Sequence, residues 1–258
     1  MDFNFNLIGC ASWTLEIDNT IKIGCDPGLA PKGTSYIYKG LKTSRVEAPV
    51  YDETTFENIK LWLLTHDHFD HLDELGLSKI ENGAQVISRK NCTKLLKKRN
   101  DLDVTYLEWN EAKTIEINDY NIKVKAIPAV HGMNFIAKLL MGDVNGYLVT
   151  ITNKEETKTI YVTSDTVFRN DIIETINNRK IDVLIANMGQ AKSKMFGGPF
   201  TMNTEMLHKF KEELKPTMTL PIHTEDFAHF ETSRAELKKS EQDDMKILEN
   251  GETIKFKA

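Results

Sequence analysis

Apolar and polar residues alternate along much of the chain, which is the pattern of half-buried β-strands. The alternation begins at residues 3–7, 13–17 and 21–23, with Asp18-Asn19 as a turn. A short strand is predicted at 84–88, and alternation returns at 104–107, 114–117, 122–126, 146–152 and 159–163. Residues 153–156 join the last two stretches and predict a hairpin loop. The first two thirds of the chain are therefore expected to be rich in β-structure.

Helical spacing of apolar residues occurs in four places, mostly in the last third of the chain. The predicted helices cover residues 92–99, 171–178, 204–214 and 234–240, and the strands between and after them cover 183–186, 218–222 and a tail at 246–257. Alternating helices and strands are typical of an α/β fold. Because no low-complexity tract or composition break divides the chain, we expect one domain over residues 1–258.

Residues 27–60 have no sustained period and are rich in Gly, Pro, Ser, Thr and Tyr. A loop of this length inside a compact domain is usually either disordered or functional. Tyr36, Tyr38 and Tyr51 favour a functional loop, since aromatic residues are depleted in disordered linkers. This segment is expected to help form the wall of a pocket.

Composition and charge exclude some classes of protein. With a net charge of −5 and a pI near 5.9, the chain has no surplus of cations for binding nucleic acid. The N-terminal residues carry no secretory signal pattern, and the apolar stretch 135–151 is too short to insert in a membrane. Three cysteines without C-x-x-C spacing, Cys10, Cys25 and Cys92, are expected to be buried thiols in a reducing, cytoplasmic environment.

The strongest chemical signal is the sequence Thr65-His66-Asp67-His68-Phe69-Asp70-His71, which directly follows the apolar run at residues 61–64. A strand that ends in a tight turn would direct these side chains towards one point. Three imidazoles and a carboxylate at this spacing suit a cation such as zinc, which accepts nitrogen and oxygen ligands. The segment therefore predicts a metal site.

Three further ligand-type residues also follow predicted strands: His131, Asp165 and His223. Ligands in α/β sheets bind at the carboxyl ends of the strands, so we expect these residues to meet the histidine cluster at one sheet edge. The predicted set has seven members: His66, His68, Asp70, His71, His131, Asp165 and His223. Seven ligands are too many for one tetrahedral zinc ion and suit two metal ions that share a carboxylate.

In this order, the cluster, His131, Ser164-Asp165-Thr166 and His223 resemble the metallo-β-lactamase superfamily, and the similarity extends from residues 9–13 and Asp26-Pro27 to the tail. Residues 198–202 and 221–230 resemble more narrowly a branch that holds ascorbate-phosphate lactonase-like and N-acylphosphatidylethanolamine phospholipase D-like metallo-hydrolases.

The resemblance implies a four-layer αβ/βα sandwich with the metal ions at one edge. It assigns His66, His68 and His131 to one divalent ion, Asp70, His71 and His223 to a second, and Asp165 to both. Lactamases proper often have cysteine where this chain has Asp165, which argues against that activity and for two metals. Zinc is the expected metal, with manganese or iron as alternatives. Ser164 stands where many relatives have glycine.

Two ions of this kind can share a hydroxide that acts as a nucleophile at neutral pH. Asp70 would also orient that hydroxide. We expect His229 to protonate the leaving group, with an outer structural role as the alternative, and His208 to be a surface residue. The expected activity is cleavage of an ester, lactone or phosphodiester of a small molecule. Alternatives are an iron-dependent oxidoreductase on the same fold, or a metal-binding module without turnover.

The sequence leaves the substrate open. Two sets of residues are expected to belong to the core, with the lining of an apolar mouth for an acylated substrate as the alternative. They are the aromatic and apolar residues of segment 27–60 and, after His131, Met133, Phe135, Leu139, Leu140 and Met141.

Overall fold

The structure, a computed structural model, describes residues 1–38, 41–132, 142–191 and 198–258. The apolar residues of the 133–141 stretch, Met133, Phe135, Leu139, Leu140 and Met141, therefore lie outside the described residues.

Fifteen strands are described, and they match the predicted alternation closely. They are β1 (Asp2–Gly9), β2 (Ser12–Ile17), β3 (Ile21–Cys25), β4 (Ser35–Tyr38), β5 (Leu41–Ser44), β6 (Ile59–Leu64), β7 (Gln85–Ser88), β8 (Asp103–Tyr106), β9 (Ala112–Ile117), β10 (Tyr120–Val130), β11 (Asp143–Thr152), β12 (Thr157–Val162), β13 (Val183–Asn187), β14 (Met218–Ile222) and β15 (Thr253–Lys257). The tail predicted from residue 246 becomes a strand only at Thr253.

The strands form two large sheets and one small hairpin. The first sheet has the order β15-β1-β2-β3-β6-β7-β8, the second has the order β14-β13-β12-β11-β10-β9, and β4 pairs only with β5. The first sheet is antiparallel from β15 through β1 and β2 to β3, and parallel from β3 to β8. The second sheet is antiparallel from β9 to β12 and parallel from β12 to β14. Each large sheet therefore combines an antiparallel part with a parallel part.

Apolar side chains fill the space between the sheets and also cover their outer faces. Leu61 and Leu63 of β6 point into the core between the sheets, whereas Trp62 and Leu64 point to the outer face. A strand covered on both faces has no reason to carry polar residues, which explains the continuous apolar run before the histidine cluster. With helices on both outer faces, the predicted four-layer αβ/βα sandwich is confirmed.

Five α-helices are described: Glu74–Lys79, Thr93–Leu96, Asn170–Ile176, Thr204–Leu214 and Arg234–Lys238. The prediction for 204–214 has the observed bounds, because Leu207, Phe210 and Leu214 give that helix a clear buried face and Asn203 caps it. The predicted helix at 92–99 is wrong in extent, since only one α-helical turn forms there. Glu74–Lys79 was not predicted, because six residues are too few for a periodic pattern.

The helix Glu74–Lys79 holds the loop after β3 against the histidine cluster. Asp73 caps this helix by accepting a hydrogen bond from the Gly76 backbone (2.7 Å), and it also accepts from the backbones of Leu29 (2.7 Å) and Ala30 (2.6 Å). At Gly76 a Cβ atom would overlap the carbonyl oxygen of Pro27. The close approach of helix and loop therefore requires glycine at this position.

Replacing Gly76 with alanine is expected to destabilise the protein by about 1–3 kcal/mol, because the helix and the Pro27 loop must separate to make room for the methyl group. At an open helix position the same change would stabilise by about 1 kcal/mol, so the sign of the effect is the test. Urea unfolding measures it. Ser78→Ala in the same helix is the control and should change stability by no more than about 0.5 kcal/mol.

Candidate metal centre

The seven predicted ligand-type side chains lie together at one end of the sandwich. They form two groups, in each of which the candidate ligand atoms all lie within 4.8 Å of one another. The first group is His66, His68, His131 and Asp165, and the second group is Asp70, His71, Asp165 and His223. All seven residues are buried. Asp165 belongs to both groups.

These side chains come from strand ends of both sheets, not of one sheet as the sequence suggested. β6 of the first sheet leads into the histidine cluster, while β10, β12 and β14 of the second sheet end just before His131, Asp165 and His223. The sheets are joined at this edge by a hydrogen bond from the backbone of Asn145 to that of Thr65 (3.2 Å). The sandwich therefore brings distant parts of the chain to one point.

Two of the strand ends turn sharply through left-handed backbone conformations. Ser164 has a φ of 54° and His223 has a φ of 62°. Residues with a side chain rarely adopt such values, and they cluster at functional sites. The conformation at Ser164 also gives a physical reason for glycine at the equivalent position of similar proteins, since glycine adopts it without strain.

The histidines of the first group are held as neutral imidazoles. Burial lowers the pKa of His66 well below its ordinary value, lowers that of His131, and lowers that of His68 to about 3. The Nδ1 of His131 donates a hydrogen bond to the carbonyl of Phe200 (3.2 Å). The Nε2 atoms of His66 and His131 are buried and have no hydrogen-bond partner. Unpaired buried lone pairs of this kind fit a metal cation.

The second group has a different charge state. Burial alone would lower the pKa values of His71 and His223, but the charge of Asp165 outweighs it, so that the pKa of His71 is raised and that of His223 is raised to about 9. The two Nε2 atoms face each other at 3.2 Å, and the Nε2 of His223 lies 3.4 Å from Asp70. Two imidazole nitrogens at this distance need a proton or a cation between or beside them.

The carboxylate of Asp165 presents one oxygen to each group. Its Oδ1 lies 3.2 Å from the Nε2 of His71 and 3.6 Å from that of His223, and its Oδ2 lies 4.0 Å from His66 and 3.7 Å from His131. Although burial favours the neutral acid, the charges of His223 and His71 hold the pKa of Asp165 well below its usual value. The side-chain amide of Asn187 donates to Oδ1 (3.0 Å) and orients the carboxylate.

Asp26 organises the histidine cluster, and sequence analysis assigned it no role of its own. Its Oδ2 lies 2.8 Å from the Nδ1 of His71 and accepts from the Thr65 hydroxyl (2.6 Å), while its Oδ1 accepts from the Thr65 backbone (2.8 Å). A carboxylate only accepts, so Nδ1 of His71 carries a proton, and Nε2 is the nitrogen that faces the second group. The only signal in the sequence was an aspartate directly after a predicted strand.

The same aspartate fixes His66 through Thr65. Because the Thr65 hydroxyl donates its proton to Asp26, it accepts from the Nδ1 of His66 at 2.9 Å. The Nε2 of His66 is then the unprotonated nitrogen. A single carboxylate therefore sets the tautomers of one histidine in each group, as outer partners of metal-binding histidines do.

His229 and His208 lie outside both groups. The Nδ1 of His229 lies 2.8 Å from the hydroxyl of Thr43, and its ring packs beside Phe230 at 4.5 Å. The ring of Phe230 also lies 4.4 Å from that of His223, so one aromatic ring connects His229 with the second group. Burial lowers the pKa of His229. His208 lies in the helix Thr204–Leu214 and is partly exposed.

The segment 27–60 contributes to the site, as expected. It contains the hairpin β4–β5, whose Tyr36 stacks on Phe69 (4.1 Å) and whose Tyr38 contacts the ring of His68 edge-on (4.9 Å). Tyr51 instead packs against Phe56 (5.2 Å).

The cysteines Cys10, Cys25 and Cys92 are buried and free, in agreement with the prediction of buried thiols. No helix within the described ranges is long and apolar enough to cross a bilayer.

Comparisons with known proteins agree with this fold. Residues 22–224 match the family model described as Beta-lactamase superfamily domain. A UPF0173 metal-dependent hydrolase of Pyrococcus furiosus is 27% identical over 78% of this chain and 83% of its own length. Among solved structures, a possible metal-dependent hydrolase from Veillonella parvula superposes with a TM-score of 0.81 at 23% identity, covering 98% of this chain and 99% of the other. An isothiocyanate hydrolase from Delia radicum gut bacteria gives 0.79 at 22% identity, covering 99% and 100%.

Replacing Asp26 with alanine should weaken metal binding by about 10–100-fold, because His71 and His66 lose the partner that fixes their tautomers. Titration of metal-free protein with zinc, followed by calorimetry, measures the change. Asp67→Ala is the matched control, since Asp67 lies in the same turn but is exposed and belongs to neither group. Equal zinc affinities of Asp26→Ala and Asp67→Ala would show that Asp26 does not support metal binding.

Proposed function

The chain belongs to the β-lactamase superfamily, and from this membership we propose that it is a metal-dependent hydrolase that cleaves an ester, lactone or phosphodiester of a small molecule. One observation carries the proposal: two groups of buried histidine and aspartate side chains share the carboxylate of Asp165. Relatives that are named metal-dependent hydrolases support it.

The proposed first metal ion is held by His66, His68 and His131, and the second by Asp70, His71 and His223. Asp165 is proposed to bridge them, since one of its oxygens faces each group. Neutral imidazoles with unpaired Nε2 atoms and two carboxylates suit zinc, with manganese or iron as alternatives. When bound, such ions lower the pKa of a water molecule and polarise the oxygen of the bond that is attacked.

The protein side chains supply orientation and proton transfer. Asp70 accepts a hydrogen bond from the attacking water and directs it towards the substrate. His229 gives a proton to the leaving atom, and Thr43 holds its ring in place. Asp26 and Asn187 fix the histidines and Asp165, so that little reorganisation is needed when the substrate binds.

The proposal also concerns the branch of the superfamily to which the chain is assigned and the chemical class of the bond that it cleaves. The resemblance of residues 221–230 to lactonase-like and phospholipase D-like members supports lactones and phosphodiesters. The isothiocyanate hydrolase with the same fold adds an uncharged electrophile to the compounds worth testing. A cytoplasmic location and a small-molecule substrate stay predictions.

Metal content tests the proposal. Elemental analysis of purified protein should give two zinc or manganese ions per chain, His131→Ala should keep one, and Asp165→Ala should lose at least one and most of the activity, with kcat/KM falling more than about 100-fold. His208→Ala is the control and should keep both ions. One redox-active iron per chain together with oxygen consumption would favour an oxidoreductase, and no bound metal would refute the proposal.

His229→Gln is expected to lower kcat by about 100-fold at unchanged metal content, as loss of a general acid does. A proton donor must be protonated, and burial lowers the pKa of His229 below the ordinary 6.5. The kcat of the wild type should therefore fall as the pH rises, and this fall should occur below pH 6.5. The kcat of His229→Gln should be low and independent of pH over that range. A wild-type profile without this fall, or an unchanged kcat in the variant, contradicts the assignment.

A further inference from the structure

The hairpin β4–β5 turns one face towards the candidate metal centre and the other towards solvent. Side chains alternate along a strand, so Tyr36 and Tyr38 share one face and Ile37 takes the other. The two tyrosines are half-buried, whereas Ile37 is 77% exposed. Thr43 lies opposite Tyr36 in the register and is buried on the same inner face.

Each residue of this inner face contacts a different part of the site. Tyr36 stacks on Phe69 with 15° between the rings, Tyr38 meets the ring of His68, and Thr43 meets His229. The base of the hairpin is fixed by a hydrogen bond from the Ala228 backbone to the Ser44 carbonyl (3.0 Å). The hairpin is thus held over the site by contacts with several separate segments.

Aromatic rings flank both groups of candidate ligands. Tyr38 lies beside His68 of the first group, and Phe230 lies 4.4 Å from the ring of His223 of the second group. Tyr38, Phe69 and Phe230 are all partly exposed, whereas the candidate ligands beneath them are buried. Within the described residues, partly exposed aromatic surface therefore lies directly beside buried candidate ligands of both groups.

The described cation beside this aromatic surface is already engaged. The guanidinium of Arg45 lies 5.5 Å from the ring of Phe227, but it is buried and donates to the carbonyls of Gly28 (2.7 Å) and Glu47 (3.0 Å). Its remaining nitrogen faces the carboxylate of Asp226 at 3.9 Å. An anionic group on a substrate would gain little from Arg45.

We propose that Tyr36, Tyr38, Phe69 and Phe230 form an aromatic clamp that holds an uncharged, planar apolar group of the substrate next to the bond that is cleaved. The inference rests on the proposed hydrolase function and narrows it to neutral substrates with an aryl or similar group beside an acyl-type carbon. Flat rings gain both burial and stacking from such a clamp, whereas the charged phosphate group of a phosphodiester gains neither.

Two hydroxamates test the clamp without turnover. Acetohydroxamate and phenylacetohydroxamate have the same metal-binding group and differ in one phenyl ring, so the ratio of their dissociation constants for the zinc-loaded protein isolates the clamp. We expect phenylacetohydroxamate to bind at least about 10-fold more tightly to the wild type. Tyr38→Ala should remove most of that ratio, and Tyr38→Phe should keep it because the ring remains.

Ile37→Ala is the matched control, since Ile37 is the neighbouring residue of the same strand but faces solvent. It should keep the wild-type ratio, and the zinc content of every variant is measured to show that the metal centre is intact. Equal dissociation constants for the two hydroxamates, or a ratio unchanged in Tyr38→Ala, overturn the clamp while acetohydroxamate binding still supports the metal centre. Failure of both compounds to bind overturns the clamp together with the proposed metal centre.

Turnover gives a second, independent comparison. The kcat/KM for ethyl phenylacetate should exceed that for ethyl acetate by about 10-fold or more, and Tyr38→Ala should bring the two together. Preference for bis(4-nitrophenyl) phosphate, with a rate that Tyr38→Ala does not change, would contradict the inference and leave a phosphodiesterase. Absence of turnover with all three compounds would count against the hydrolase itself.

Discussion

The arrangement of this molecule depends on the burial of Asp165 among histidines from both sheets. An isolated carboxylate in such a place would be costly, because burial disfavours its charged form. Here His71 and His223 offset that cost, and the pKa of Asp165 falls well below its usual range. The carboxylate and the imidazoles must therefore be assembled together, and the sandwich does this where strand ends of both sheets meet.

Different parts of the fold position the candidate ligands and orient them. The candidate ligands sit on short turns directly after strands whose positions are fixed by the apolar core, so their backbones have little freedom. A further layer, including Asp26, Thr65 and Asn187, then decides which nitrogen or oxygen of each ligand faces inward. For His66, the chain from Asp26 through the Thr65 hydroxyl to Nδ1 leaves Nε2 as the unprotonated nitrogen that faces the first group.

Much of the fold and of the site could be predicted from the sequence, for a physical reason. Strand alternation and the apolar run before Thr65 reflect burial, which depends directly on the type of each residue. The ligand-type residues between His66 and His71 are close in sequence, so their spacing can be recognised without knowing the fold. Asp26 and the β4–β5 hairpin were missed as individual features because their roles depend on partners 45 residues away, as for His71, or 186 residues away, as for His229 with Thr43. The contribution of both sheets to the site likewise follows from strand order, which no local pattern reveals.

The hairpin β4–β5 carries none of the candidate ligands, although it lies against them. It is an excursion from the chain between β3 and β6 that pairs with neither of the large sheets. Substitutions on its inner face therefore leave the strand register of both large sheets unchanged. If the proposed clamp operates, β4 and β5 form a part of the chain in which substrate preference can change while the candidate ligands and the strands that carry them stay the same.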